Sequence, residues 1–248
     1  MHDGPTGISR RAFVSALALA ATPLATGARR AAAGPPVPKE GGLSSEGLLA
    51  GHPGFQPRSV APLSYKELPG FLSATQLEKH HVDYAKTVER LKETEQALAV
   101  AVRDPSNAAE YGALRRRQVA LANDVLLHEF YFGNLTPTPG EMSAYVRRHM
   151  AEHMGSVESW AADFQLCART AQSWAALVYD PYDDRWHNVV MDSDVDGVWV
   201  GANPLIVCDV ASHAYDVDYP QRDAYVAKFI DHIDWAEVGA RYHRVDRM

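Results

Sequence analysis

From Leu72 onward the chain alternates between two rhythms of apolar and polar positions. The first is helical. His80, Tyr84, Val88 and Leu91 fall on one face, while Lys79, Asp83, Lys86, Glu89 and Arg90 lie largely elsewhere. This spacing predicts a long helix running toward Val102, opened by Ser73 as N-cap with Gln76 three residues on, and stopped by Asp104-Pro105. A second long helix is predicted from about Ala108 to Phe132, ending before Pro137 and Pro139. Shorter helices follow from Met142 to Met154 and from Val157 to Ser173. The rhythm then changes. Trp174 to Tyr179, Trp186 to Met191 and Val198 to Val200 read as three short antiparallel strands, with turns at Asp180 to Asp184 and Asp192 to Gly197. A last helix is expected from Arg222 to Tyr242. No internal repeat is visible.

The expected fold class is therefore α+β. A helical hairpin (residues 71–137) packs on an α+β domain (residues 138–248) with a three-stranded antiparallel sheet and helices. The candidate chemistry described below is expected to lie between the hairpin and this second domain. Residues 34–70, rich in Gly, Pro and Ser, read as a linker and N-terminal arm. Residues 1–33 read as an export signal: Ser9-Arg10-Arg11-Ala12-Phe13-Val14 is a twin-arginine pattern. The apolar run after it is too short to span a bilayer, and Ala31-Ala32-Ala33 offers a small-residue cleavage site. The plainer alternative is an Ala-rich disordered N-terminus. With 46% hydrophobic and 22% charged residues, the remainder has the composition of a soluble globular protein, with no membrane partner expected after signal cleavage. The net charge of −7 becomes more negative when the signal's four arginines and one aspartate are removed, which argues against nucleic acid as a partner. Cys167 and Cys208 can form one disulfide in an oxidising compartment or remain free and buried; their apolar helical contexts favour the latter.

The candidate chemistry lies in Asp209-Val210-Ala211-Ser212-His213. On a helix, Asp209 and His213 share a face one turn apart. Taken alone such a pair is more often a helix-surface hydrogen bond than a metal site. The apolar run Pro204 to Cys208 brings Asp209 in from a buried side, and two histidines upstream, His80 and His128, both sit among apolar and aromatic neighbours. A lone inward histidine is usually bonded to backbone; three imidazoles and one carboxylate that converge would make a site for a mid-row divalent or trivalent metal.

Their order strongly resembles the iron/manganese superoxide dismutases. The run Leu72 to His80 matches that family's first-ligand helix, His128 ahead of Phe130 and Phe132 matches the second, and Asp209 to Tyr215 matches the motif carrying the third and fourth. Gly155-Ser156-Val157 with Phe164, Ser173-Trp174, Asp234 to Glu237 and Arg241-Tyr242 match further pieces, so that the likeness spans about residues 63 to 243. The resemblance implies one iron or manganese ion per chain, held by His80, His128, Asp209 and His213. It also implies conversion of superoxide, a small anionic substrate, to dioxygen and hydrogen peroxide. The surroundings depart from the family pattern. Tyr84 stands at the family's histidine, Val88 at its gateway tyrosine, Leu127 at its asparagine, Phe132 at a tryptophan, and Ala211 and Ser212 at its tryptophan and interface glutamate. Loss of that glutamate at Ser212 bears on the homodimer that the resemblance implies. No glutamine stands at either of the family's solvent-bonding positions. Asp124, four before His128, can stand in for the missing amide or simply face solvent. Tyr84 can supply the gateway hydroxyl or pack as a buried tyrosine. Arg222 matches a family arginine near the substrate channel. His81, His149, His153, His187 and His243 read as surface or structural. The altered surroundings leave a second expectation beside the enzyme: a dismutase-fold metal-binding protein with little turnover, acting as carrier, sensor or interaction module.

Overall fold

Helix α1 (Ala74–Val100) starts where expected, its N-cap Ser73 accepting a hydrogen bond from the Gln76 amide at 3.2 Å. It buries Leu77, His80, Tyr84, Val88, Leu91 and Leu98 along one stripe. Asp104 then caps a single 3-10 turn (Pro105–Asn107), and α2 (Ala108–Gly133) runs back beside α1, completing the hairpin. These coordinates come from a computed structural model that describes residues 58–246, which all fall within one compact unit. The twin-arginine segment (residues 1–33) and residues 34–57 of the expected arm lie outside the described residues. Among the described residues, no helix is long and apolar enough to cross a membrane.

Helices α3 (Ala144–Met154) and α4 (Val157–Thr170) meet at Gly155, whose φ of +84° closes α3 with a left-handed residue that disfavours a side chain. The sheet has the order β2-β1-β3. Strand β1 (Trp174–Asp180) is buried at every position and pairs antiparallel with both β2 (Arg185–Met191) and β3 (Asn203–Asp209).

Two elements differ from expectation. The third strand is not Val198 to Val200, which is exposed loop, but Asn203–Asp209. Pro204 argues against a strand because it cannot donate a ladder hydrogen bond. Here it is tolerated because β3 is an edge strand and Pro204 pairs with Val178 beside the register shift between Leu177 and Val178. Likewise, the closing helix is two helices, α5 (Arg222–Asp231) and α6 (Trp235–Val245). Asp234 accepts from the Ala236 and Glu237 amides and so starts a new helix, while Ile233 forms a β-bridge with Leu135. Both cysteines are free; Cys208 is buried and Cys167 partly exposed.

One buried amide ties the hairpin to the sheet. Asn134, just past the end of α2, has no exposure. Its Oδ1 accepts from the Val207 amide in β3 at 2.7 Å, and its backbone oxygen accepts from Asp234 at 2.9 Å. The buried Arg241 adds a second tie, donating from Nη1 to Leu205 O and from Nη2 to Phe130 O. An Asn134→Ala substitution leaves the Val207 amide buried without a partner. It is expected to cost about 2 kcal/mol, seen in urea denaturation as a lower midpoint at unchanged slope.

Candidate metal centre

Asp209 is the last residue of β3 and is completely buried, and the apolar stretch before it drives it there. Its partner His213 is not on a helix with it. The chain leaves the strand at Val210, whose amide donates to Ser173 O, and turns through a 3-10 helix (Ser212–Ala214) that folds His213 back over the carboxylate. His213 Nε2 lies 3.1 Å from Asp209 Oδ2. From α1, His80 Nε2 approaches the same oxygen to 2.9 Å; from α2, His128 Nε2 approaches it to 3.9 Å. The other oxygen, Oδ1, is used locally by the Ala211 amide. Four residues from three distant parts of the chain thus present donor atoms within 4.8 Å of one another.

Electrostatics follow from this geometry. Burial alone would raise the Asp209 carboxyl, but hydrogen bonds from His213 and His80 outweigh it and hold the group well below the usual carboxylate range. Burial pushes the His80 imidazole down, against the pull of Asp209. For His128, burial pushes the other way but is outweighed by the Asp124 hydrogen bond and the charges of Asp209 and Asp124, so the imidazole is raised. His213 is raised by its bond to Asp209.

The donor set fits a metal ion. His128 Nδ1 donates to the Asp124 backbone oxygen at 2.8 Å and lies 2.9 Å from Asp124 Oδ1, which places its proton on that side of the ring. The opposite nitrogen, Nε2, points into the cluster, is shielded from solvent and has no partner. A buried imidazole lone pair beside a carboxylate that faces two more imidazoles has the chemistry of a metal-ligand set. The spacing of these donors is on the scale that bonds of about 2.1 Å to a shared ion would require.

The sequence has known counterparts. Residues 142–241 match the family model of the iron/manganese superoxide dismutases, C-terminal domain. Over 186 residues the chain is 32% identical to superoxide dismutase [Mn] 2 of Haloferax volcanii, covering 74% of this chain and 93% of that protein. The chain belongs to the iron/manganese superoxide dismutase family. Superoxide dismutase [Mn] 2 of Halobacterium salinarum is 31% identical over 194 residues, covering 74% of this chain and 93% of the relative. Superoxide dismutase [Fe] of Aquifex pyrophilus is 31% identical over 173 residues, covering 67% and 80%.

The three further residues singled out from the sequence have different surroundings. Asp124 does not reach over the cluster. It sits behind His128, on the ring's outer nitrogen, with its second oxygen accepting from Thr87 Oγ1 at 3.0 Å. The Tyr84 ring stands 5.8 Å from the His128 ring, but its hydroxyl turns outward, donating to Glu129 Oε1 and accepting from the Ala61 amide. There it borders a cavity of about 170 Å³ that Pro62, Ser64 and Phe132 also line. Burial pushes the Tyr84 phenol up, so it keeps its proton. Arg222 does not face the four donors: its guanidinium donates to the carbonyls of Arg169 and Ala171 and links the end of α4 to the start of α5. Ser212 is exposed.

Two residues escaped the sequence reading. Gln76 is fully buried one turn before His80. Its Nε2 donates to His213 O at 2.7 Å and its Oε1 accepts from the Val217 amide at 2.8 Å, fixing the turn that carries His213. An amide on an otherwise apolar helical stripe was the available signal, read only as half of a capping box. Asp194, in the loop after β2, accepts from Trp174 Nε1 at 3.0 Å, and the Trp174 ring stands edge-on to His128 at 4.9 Å. Burial and the nearby Asp124 charge push the Asp194 carboxyl up. The loop holds its shape through Gly197, where φ is +88° and an added Cβ would collide with the Val190 carbonyl. No local pattern in the sequence marks it.

Replacing Gln76 with leucine keeps the burial but releases the His213 turn. Metal retention against a chelator is expected to fall by about tenfold or more, with secondary structure by circular dichroism unchanged.

Proposed function

We propose that this protein is a metal-dependent superoxide dismutase whose iron or manganese is held by His80, His128, Asp209 and His213. The observation that carries the reading is the convergence of these four side chains, with His128 Nε2 buried and unpartnered among them. The names of the relatives, dismutases of [Mn] and [Fe] type, support it. When bound, the ion supplies the one-electron couple by which two superoxide ions and two protons become one dioxygen and one hydrogen peroxide. The chain's own residues do the rest. Asp209 supplies the one anionic ligand, and Asp124 fixes the His128 tautomer from behind. Gln76 aims His213, and Trp174 and Phe132 wall the His128 ring on two sides. The side chain of His213, 38% exposed, is the only one of the four ligands open to solvent, and a small anion reaches the centre along that flank. Tyr84 buttresses the His128 ring through its phenol, held by Glu129. Arg222, bonded to the Arg169 and Ala171 carbonyls just before β1, acts only at a distance, as a positive charge on an acidic protein. The twin-arginine segment adds export in the folded state to this proposal, as a periplasmic or extracellular enzyme.

A second reading, a metal-binding protein with little turnover, is favoured by one feature. Two carboxylates, Asp124 and Asp194, stand beside the centre, and charge there shifts a metal couple. Stopped-flow measurement of superoxide decay on protein with counted iron or manganese separates the two. The first reading expects decay proportional to metal content, abolished in His128→Gln. Stoichiometric metal without decay establishes the second. In addition, Asp194→Asn, which removes charge and keeps the Trp174 contact, is expected to change the rate or potential at full metal content.

Protons compete with the ion for the imidazoles. His128 and His213 are raised above the ordinary histidine value of 6.5, so in the metal-free protein they still carry protons at pH 6.5. That charge stabilises the metal-free fold below pH 6.5, and the contribution is lost as pH rises through the raised values. Metal affinity should therefore be weaker at pH 6 than at pH 8, with proton release on binding at the lower pH, measured by titration calorimetry in buffers of different ionisation enthalpy.

A further inference from the structure

We propose that helix α3 carries a second metal site, formed by His149, Glu152 and His153, that takes a borderline divalent cation of the zinc class. His149 and His153 are one turn apart, so their rings project from the same side of the helix. They lie nearly parallel, 10° between planes and 5.7 Å between centroids. Glu152 Oε2 lies 3.8 Å from His149 Nδ1, and one donor atom from each of the three residues falls within 4.8 Å of the others. Two neutral imidazoles and one carboxylate suit zinc, with water completing a tetrahedron.

The rings are held for this purpose without being used for another. His153 stacks on Trp186 at 5.5 Å, and His149 meets Tyr242 edge-on at 4.8 Å. Three of their four ring nitrogens, His149 Nδ1 and both of His153, are shielded from solvent and have no hydrogen-bond partner. A buried polar atom left in that state costs stability unless something satisfies it. The fourth, His149 Nε2, lies 3.3 Å from the exposed Arg148 guanidinium, which must swing away when that nitrogen takes the proton. Around the pair, Arg148 and Arg185 are opposed by Glu152, Asp184 and Asp246, so the local balance favours a cation. Burial pushes both imidazoles down, which keeps their lone pairs free near neutral pH.

A comparable trio shows the difference. Asp180, Asp183 and His187 also cluster, but His187 Nε2 is bonded to Asp183 at 2.9 Å and Asp180 Oδ1 to the Tyr182 amide, so the donors there already have partners. The α3 site is also separate from the metal centre, since none of its three residues is among the four ligands or their partners.

The test uses full-length protein whose iron or manganese content has been counted, dialysed against zinc and measured again. The wild type is expected to hold one zinc ion beyond the iron or manganese. His153→Gln and His149→Gln together should lose it, and Glu152→Gln, at an exposed carboxylate that the fold does not need, should weaken its retention. His187→Gln should keep it. Absence of the extra zinc in the wild type, or its undiminished retention in the double variant, overturns the proposal. Should the double variant fail to fold, X-ray absorption at the zinc edge of the wild type decides. Two imidazoles and a carboxylate support the site, and any other ligand set refutes it.

Discussion

The structure turns on a single carboxylate. Asp209 is placed by its own strand where no water reaches it, and an ion buried without compensation would cost several kcal/mol. Everything near it answers that cost. His80 comes from the middle of α1 and His213 folds back from the following turn, both within hydrogen-bond reach of one oxygen, while His128 closes the third side from α2. The helical hairpin and the sheet are therefore joined at the same point where the chemistry is. Asn134 and Arg241 secure the joint from behind, through Val207 and Leu205 of the strand that ends in Asp209.

Around the four donors a further layer fixes direction rather than charge. Gln76 reaches from α1 to both His213 and Val217, so a helix that provides one ligand also sets the angle of another. Asp124 and Thr87 do the same across the hairpin for His128. Two members of this layer, Asp124 and Asp194, are carboxylates. Asp124 and Asp194 stand where a charge is felt by the ion, and their fields act on a redox couple more strongly than on a ligand's position. The same low-dielectric setting that makes Asp209 costly thus makes its neighbours effective.

Histidines occur in two kinds of surroundings here. Those at the centre meet a carboxylate that needs them. His149 and His153 are packed among aromatic rings that orient them and leave their nitrogens unanswered. His81 and His232 show the ordinary outcome, each bonded to backbone oxygens, of Ala61 and of Lys228 and Pro69 respectively. Buried imidazole alone says little; what its two nitrogens meet says most.

The helices were legible in the chain because their apolar period and caps are local properties, and α1 to α4 begin within two residues of the starts expected from Ser73, Ala108, Met142 and Val157. The four side chains that converge around Asp209 were also picked out in the chain, through residue types and order. The third strand was not: it was expected at Val198 to Val200, and the strand that forms holds Pro204, which only a register shift and a free sheet edge accommodate. Nor was the split of the last helix, which depends on Leu135 pairing with Ile233 from nearly a hundred residues away. Which way Asp124, Tyr84 and Arg222 face, and that Gln76 and Asp194 matter at all, was decided only by packing. Periodicity tells which side of an element is inward, but the partner waiting there is set by chain segments that local sequence does not contain.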